Sequence, residues 1–547
     1  MADGSNEMFQ ETRMKPWPVF HSQRKEVQVR PKSSSLLLPM FTDCAHSVPM
    51  IKHSMKVALK LTDYANPGQT PVLVCDQPLY VLAKQIQWTW PTELGEDHFM
   101  VMMGGLHVEM ALLATLGNVL DNSGWTEALV LAQVTTSGRA QSLLSGSKVK
   151  RTRYAHLVTL GVLSLLQQDS YTKYLTSVEG TEPLQFLDWC CYRASQSPQF
   201  NYWSTVIELQ IEMIIFIRSL RESNFELYCS SLNSIAKWFF ALDRTNYARW
   251  ISVHLKDLLE LKTRHPDLYE EFENGKFTAQ RTANSFSAMA LDQAHEQLNS
   301  FVKGDGGAVG LTENPTALLR WMVSGPEMAR IISEFESCNE DEAGKLYPHH
   351  ENSAAHIKRF NTDIRSLLHT MKELGNPFEE EGGELISLVS KDIVSPDVVL
   401  SLKKIKATGE SQFNAFVKER LRIGSIALNE VISRNKFSLF TEKAKRSSSK
   451  NAGKLKTAKQ DTKLFARLYV GCQSRDLEDF FAHENQSSPP AISERGKLQS
   501  GTKSNLVQCL IEEIDNMIDN PKPACGILDG AVLVQMLRPK NCKTFKY

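Results

Sequence analysis

The sequence carries no net charge, because 62 lysine and arginine residues balance 62 aspartate and glutamate residues. A chain without a bulk field attracts nucleic acid only through local basic patches. Its ten cysteines include no Cys-x-x-Cys pair, which argues against a zinc knuckle or a thioredoxin-type redox motif. The glycine-rich stretch 303–311 lacks the GxxxxGK[ST] pattern, so it does not predict a phosphate-binding loop. We therefore expect the cysteines to be free thiols in a reducing compartment.

A secretory signal and a long hydrophobic run are also absent. Residues 1–30 contain no apolar segment of the kind that signal peptides require. The apolar stretch 101–120 contains His107 and Glu109 and is too mixed to span a bilayer. We therefore expect no membrane association and a location inside the cell, in the nucleus or the cytoplasm.

Strand and helix patterns alternate between residues 33 and 120. Short apolar runs at 33–41, 70–76 and 95–103 predict strands, and a helical spacing of apolar residues follows each run. This alternation is typical of a mixed or parallel sheet with helices on its faces. The sequence therefore predicts an α/β core in this region.

Helical spacing without strand signals covers most of the remaining chain. It extends over residues 110–270 and returns at 279–300, 313–338 and 352–425, so the protein is expected to be mostly α-helical. The basic, serine-rich stretch 442–460 predicts a solvated linker, with a nuclear-localisation or phosphate-contacting segment as the alternative.

Three acidic or histidine side chains stand at positions that suit metal chemistry. Asp76 directly follows a predicted strand, and His107 follows the next strand and two glycines. Ligands bind at such strand ends in open α/β sheets, although a strand-end Asp also serves as a helix cap. Glu296 shares a helix face with Asp292, four positions earlier. Carboxylates from two such distant segments can hold Mg²⁺ or Mn²⁺.

Two short stretches combine basic and aromatic residues. Residues 146–156 contain Lys148, Lys150, Arg151 and Arg153, which are candidate phosphate contacts. Residues 241–250 include Arg249 and Trp250, which could contact a phosphate and stack on a base. A hydrogen-bonded Asp–Arg network beside aromatic packing is the alternative for the second stretch.

The order of these elements resembles RNase H-like transposases of the hAT and Mutator-like type. The resemblance implies that Asp76 is the second catalytic acid, His107 the histidine after the next strand, and Glu296 the glutamate that follows a helical insertion. It also implies metal-dependent DNA cleavage with Mg²⁺ or Mn²⁺. Gly104 occupies the place of the Cys or Asp that precedes the family's histidine, and residues 1–32 do not supply the first aspartate. The core is therefore expected to be an incomplete RNase H-like sheet without activity.

A second resemblance rests on sequence stretches along nearly the whole chain, including "FALDRTNYARW" and "LDQAHEQLNSFVKGDGGAVGLTENP". It is to an uncharacterised, multicopy, transposon-derived animal family, whose longer members carry a CXC-type DNA-binding domain and a PIN-like C-terminal domain. By this resemblance, Asp529 would be the first metal ligand of a truncated PIN-like domain. The expected function is residual nucleic-acid binding, with DNA as the partner, by an inactive transposase-derived fragment; a helical protein-interaction scaffold is the alternative. The sequence assigns no oligomeric state.

Together these patterns predict eight segments. They are a disordered or truncated N-terminus (1–32), the α/β core (33–110), a helical insertion (111–270), return helices with Glu296 (271–345), a helical region (346–441), a basic linker (442–460), a helical and loop region (461–520) and the start of a PIN-like domain (521–547).

Overall fold

The architecture comes from a computed structural model of the chain. It describes residues 15–24, 30, 32–33, 44, 46–178, 182–282, 284–303, 350–379 and 382–440, with isolated positions at 314–331 and two short strands near 495. The chain divides into two compact units, one of residues 1–307 and 333–446 and the other of residues 308–332 and 447–547. In the second unit, Ser493–Glu494 pairs antiparallel with Lys497–Leu498. All features below belong to the first unit.

The α/β part of this unit is a parallel strand pair with a helical crossover. Strand β1 (Val72–Cys75) pairs with β2 (Met100–Met103), and Val72 lies opposite Met100. Parallel strands need such a crossover, because the chain must return to the same end of the sheet. Strand β2 is fully buried, whereas β1 is half-buried along most of its length. The predicted strands at 70–76 and 95–103 are thus confirmed with narrower limits, and the strand predicted at 33–41 lies outside the described residues except for residue 33.

The first crossover helix packs on both strands of this pair. A short helix α1 precedes them, and α3 and α4 form the crossover between β1 and β2. The bounds are α1 Trp17–Ser22, α2 Val48–Ala65, α3 Gln77–Thr89, α4 Pro91–Leu94, α5 Gly105–Leu120, α6 Trp125–Leu131 and α7 Ser137–Ser145.

A body of long helices follows, as the apolar spacing of residues 110–270 predicts. The middle helices pack on one another and bury large aromatic side chains, among them Trp203, Phe216 and Phe239. Such burial is the main driving force for folding. The bounds are α8 Val149–Ser177, α9 Phe186–Gln196, α10 Pro198–Glu222, α11 Phe225–Ala241, α12 Thr245–Arg264 and α13 Pro266–Glu273.

The chain then forms a β-hairpin where the sequence predicts a helix. Strand β3 (Thr278–Gln280) pairs antiparallel with β4 (Ala288–Ala290), so the helix predicted at 279–300 is wrong in its first half. Ala288, Met289 and Ala290 are good helix formers, but pairing with β3 overrides this preference. Helix α14 (Leu291–Lys303) begins directly after β4 and carries Glu296.

The C-terminal part of the first unit contains two further long helices. Helix α15 (Ala354–Glu373) packs on α8, and α16 (Pro396–Phe416) packs along α11. Helix α16 ends in a π-helical turn, Val417–Arg422, and an irregular segment follows to residue 440. Helices are confirmed within 352–425, with a non-helical stretch at 374–395.

Within the described residues, no helix is long and apolar enough to cross a membrane. The mostly α-helical fold class is confirmed. The linker 442–460, almost all of the region 461–520 and Asp529 lie outside the described residues, as does most of the helix predicted at 313–338.

Candidate functional site

Asp76 follows β1 and caps the helix that begins after it. Its Oδ1 accepts a hydrogen bond from the backbone N–H of Leu79 at 3.0 Å. An N-cap carboxylate satisfies one of the otherwise unpaired N–H groups at a helix start and interacts favourably with the helix dipole. The cap interpretation of Asp76 therefore holds locally, and the same carboxylate lies at the carboxyl end of the parallel pair.

His107 lies at the carboxyl end of β2, in the first turn of α5. Its Nδ1 hydrogen-bonds to Oδ2 of Asp292 at 2.9 Å, and its backbone N–H donates to the same oxygen at 3.1 Å. The backbone N–H of Leu106 donates to Oδ1 of Asp292 at 3.0 Å. Asp292 comes from the start of α14, so a residue far along the chain caps α5 and orients the imidazole. With Nδ1 bearing the proton, the neutral ring presents its lone pair on Nε2.

The two glycines before His107 make room for this approach. A Cβ atom on Gly104 would lie 2.2 Å from Oδ2 of Asp292, and one on Gly105 would lie 2.9 Å from Cβ of Ala290. Both distances are far shorter than non-bonded carbon contacts of about 3.5–4.0 Å. The absence of side chains at these two positions thus lets the end of the hairpin and the start of α14 lie against the start of α5.

The charges around His107 show which groups share this strand end. Its pKa is raised above the usual value, chiefly by the hydrogen bond to Asp292, while partial burial opposes the rise. The charges of Asp76 and Glu296 also raise it, so both carboxylates act on the ring. Helix α14, which carries Glu296, also packs against α5 and β1, so the three residues that the sequence singled out lie on neighbouring elements, although no described hydrogen bond or ion pair joins Asp76 or Glu296 to His107.

Tyr247 of α12 belongs to the same neighbourhood. Burial raises the pKa of its phenol, and the charge of Asp76 raises it further, as does that of Asp292. We call Asp76, His107, Tyr247, Asp292 and Glu296 the strand-end cluster. The sequence identified Asp292 only as a neighbour of Glu296 and gave no sign of Tyr247, because their proximity to this strand end depends on elements that are distant in the sequence.

The strand-end cluster does not form a ready metal centre. Among the described residues, no three His, Cys, Asp or Glu side chains converge closely enough to hold a metal ion. Asp292 is committed to His107 and to helix α5, and one oxygen of Asp76 accepts the cap hydrogen bond. Both carboxylates therefore already serve as hydrogen-bond acceptors within the protein. Asp529, the third expected metal ligand, lies outside the described residues.

The basic residues at the start of α8 divide into two groups. Lys148, Lys150 and Arg151 are exposed and pair with no acidic side chain within the described part of the chain. Arg153 instead donates to both carboxylate oxygens of Glu109, at 2.9 and 2.7 Å. The side chains of Glu109 and Arg153 are 2% and 16% exposed, so Arg153 is corrected from a phosphate contact to a structural ion pair.

Arg249 and Trp250 also differ from the expectation. Trp250 is 4% exposed and packs in the core against Tyr80 and Trp88, so its ring is not accessible to a base. This corrects the predicted stacking role, and the aromatic-packing alternative describes Trp250 better. Arg249 is half-buried and donates through Nη2 to the backbone carbonyl of Glu430 at 2.7 Å.

The start of α8 lies beside α5, close to the strand-end cluster. Gly146, just before α8, has a left-handed backbone with φ of +67°, and an added Cβ there would lie 3.3 Å from the carbonyl oxygen of Met110. Met110 is three residues beyond His107, which is about 4.5 Å along the axis of an α-helix. The exposed basic groups and the strand-end cluster therefore border the same stretch of α5.

Comparison with known proteins identifies the family. Residues 16–184 and 185–484 match the model of a family described as a domain of unknown function, DUF8702. The match covers most of the chain, so the protein belongs to this family. No curated protein matches the sequence, and no solved structure does.

Proposed function

We propose that this protein binds nucleic acid, that it descends from RNase H-like transposases, and that it does not cleave DNA. The observation that carries the proposal is that α14, the helix with Glu296, packs against α5 and β1, while Asp76 and His107 follow the carboxyl ends of the two parallel strands. These are the positions that the resemblance to transposases assigns to its site. A chance similarity of sequence gives no reason for residues so far apart to share one strand end.

The chemistry of the strand-end cluster supports a protein without nuclease activity. Two-metal hydrolysis needs carboxylates that bridge or flank a pair of ions. Here the buried Asp292 binds His107 and the start of α5, and Asp76 caps α3. In this proposal the carboxylates of an ancestral site are kept because they hold helices and a histidine in place.

The exposed basic groups at the start of α8 support nucleic-acid binding. Lys150 and Arg151 lie in the first turn of the helix, where the helix dipole disfavours cations by about 0.3–1 kcal/mol each. The first turn contains no acidic residue to offset them. A bound phosphate would compensate both the side-chain charges and the unpaired N–H groups of this turn. DNA is the partner that the proposed transposase ancestry favours. Of the two expected locations, the nucleus and the cytoplasm, DNA binding suits the nucleus.

The test measures the affinity of the full chain for a fluorescein-labelled DNA duplex by anisotropy at several salt concentrations. Each phosphate contact contributes about 0.9 to the slope of log K against log salt. We expect Lys150→Gln/Arg151→Gln to lower this slope by about 2, since both charges are exposed. The matched control, Lys403→Gln/Lys404→Gln on the exposed face of α16, should leave the slope unchanged.

Two results would overturn the proposal. Absence of salt-dependent DNA binding by the wild-type chain would favour a helical protein-interaction scaffold. Metal-dependent cleavage of the duplex, lost on Glu296→Gln, would show that the protein is an active nuclease.

A further inference from the structure

A second group of basic residues surrounds the π-helical turn at the end of α16. Residues 417–440 contain five basic residues and two acidic ones. Lys418, Arg422 and Arg434 are exposed and pair with no acidic side chain in the described ranges. Arg420, in the same turn, and Arg249, from α12, both bind the segment that follows the turn. We call these five residues the C-terminal basic surface, and none of them touches the start of α8 in any described contact.

Two guanidinium groups converge on one backbone carbonyl at this surface. Arg420 donates through Nη1 to the carbonyl oxygen of Glu430 at 2.6 Å, and Arg249 donates to the same oxygen at 2.7 Å. Arg420 also binds the carbonyls of Leu428 and Val431, at 3.2 and 3.3 Å. The two like charges therefore hold the irregular segment after the π-helical turn against α12.

No carboxylate in the described residues compensates this pair. The pKa of Arg249 is lowered, first by burial and then by the positive charge of Arg420, and no acidic group acts in the opposite direction. The Nε–H of Arg249 is buried and has no hydrogen-bond partner among the described residues. A charge that is partly removed from water usually pairs with an opposite charge, because a carbonyl dipole replaces only part of its hydration.

An aromatic ring is a further partner of Arg420. Arg420 stacks its guanidinium over Phe416, with 5.1 Å between the guanidinium carbon and the ring centroid, which fixes its direction. Single π-helical turns are frequent at functional sites. In this case the turn is the one that carries Lys418, Arg420 and Arg422.

We propose that the C-terminal basic surface is a second binding surface for the phosphate backbone of nucleic acid, separate from the start of α8. This inference rests on the proposed nucleic-acid binding. Guanidinium groups offer paired N–H donors that match phosphate oxygens, and the exposed lysine adds a mobile charge. The groups extend along a helical turn and the segment after it, which suits successive phosphates rather than one enclosed anion.

The test uses Lys418→Gln/Arg422→Gln in the full chain, because these two side chains are exposed and hold no described contact. We expect the salt slope for DNA binding to fall by about 2, with the corresponding loss of affinity at low salt. Lys403→Gln/Lys404→Gln removes the same charge from α16, the helix before the turn, and should change neither quantity. Thermal melting of both variants checks that the fold is intact.

The outcomes separate this inference from the proposed function. A wild-type slope in Lys418→Gln/Arg422→Gln, beside a reduced slope in Lys150→Gln/Arg151→Gln, would overturn the second surface alone. Absence of salt-dependent DNA binding by the wild-type chain would overturn both proposals. In a further measurement, phosphatidylserine vesicles compete with the labelled duplex for the protein. If vesicles displace DNA from the wild type as well as unlabelled DNA does, and Lys418→Gln/Arg422→Gln abolishes vesicle binding, the surface binds an acidic membrane and its assignment to nucleic acid is overturned.

Discussion

The carboxylate of Asp292 binds His107 twice, through the Nδ1 of its ring and through its backbone N–H. One side chain at the start of α14 thus fixes both the first turn of α5 and the direction of the imidazole. The contact joins elements 185 positions apart in the sequence. Its strength and its pH dependence lead to the first two predictions.

Gly104→Ala should destabilise the protein by about 1–3 kcal/mol, the usual cost of overpacking. The new methyl group would meet Oδ2 of Asp292 at 2.2 Å and its Cβ at 3.0 Å, and that carboxylate is held by several hydrogen bonds. Chemical denaturation measures the change in the free energy of unfolding. The control is Gly138→Ala in α7, where an added Cβ meets nothing within 4 Å and should stabilise by about 0.4–1 kcal/mol. Equal effects of the two changes would contradict the close approach.

His107 should contribute stability at low pH that is lost at high pH. Its folded-state pKa is raised above the unfolded value of about 6.5, so the folded state binds a proton more tightly. The contribution is fully present below the unfolded pKa and disappears as the pH rises through the raised folded pKa. The measurement compares the free energies of unfolding of wild type and His107→Asn across this range. Asn keeps a donor near the Nδ1 position but does not titrate, so a pH-independent difference would contradict the prediction.

Glu109→Gln should cost about 3–5 kcal/mol, the penalty for breaking a buried ion pair from one side. The change leaves the guanidinium of Arg153 largely buried without its carboxylate partner. The control is Lys406→Gln, which breaks the exposed pair with Glu208 and should cost no more than about 1 kcal/mol. If the Glu109 variant unfolds like the control, Arg153 is solvated and becomes available again as a phosphate contact.

Asp76 offers a way to separate capping from metal binding. Asp76→Asn preserves a capping oxygen and should leave stability nearly unchanged, whereas Asp76→Ala should cost about 1 kcal/mol. We further expect neither Mg²⁺ nor Mn²⁺ to raise the melting temperature of the wild-type chain, because a ligand must bind the folded state to stabilise it. A metal-dependent rise that disappears in both Asp76→Asn and Glu296→Gln would restore the predicted metal site.

Local pattern was sufficient for the elements that bury one face. The apolar spacing of residues 46–61 predicts α2, and the β-branched run before Asp76 predicts β1, because each pattern matches the period of its element. Local pattern does not predict the hairpin at 278–290, because Ala288–Ala290 favours a helix and becomes a strand only when Thr278–Gln280 lies beside it.

Only part of the candidate site can be predicted from the sequence, for a related reason. Asp76 and His107 follow strands, and this local position identified them as neighbours. The pairings of Asp292 with His107 and of Arg153 with Glu109 join different elements, and charge alone does not show whether a basic side chain faces solvent or a buried carboxylate. Trp250 illustrates the same limit, because an aromatic residue beside an arginine is compatible with a binding platform and with the core.

The cap that Asp292 places on α5 also has a consequence during synthesis. A ribosome adds about 5–20 residues per second, so the N–H groups at the start of α5 wait on the order of ten seconds or more for their partner to emerge. During that interval the nascent β1–β2 pair exposes an unfinished end, and the growing helical body must fold before the hairpin can close it. Chaperone binding or early aggregation of this protein would therefore be concentrated in the period before residue 292 leaves the ribosome.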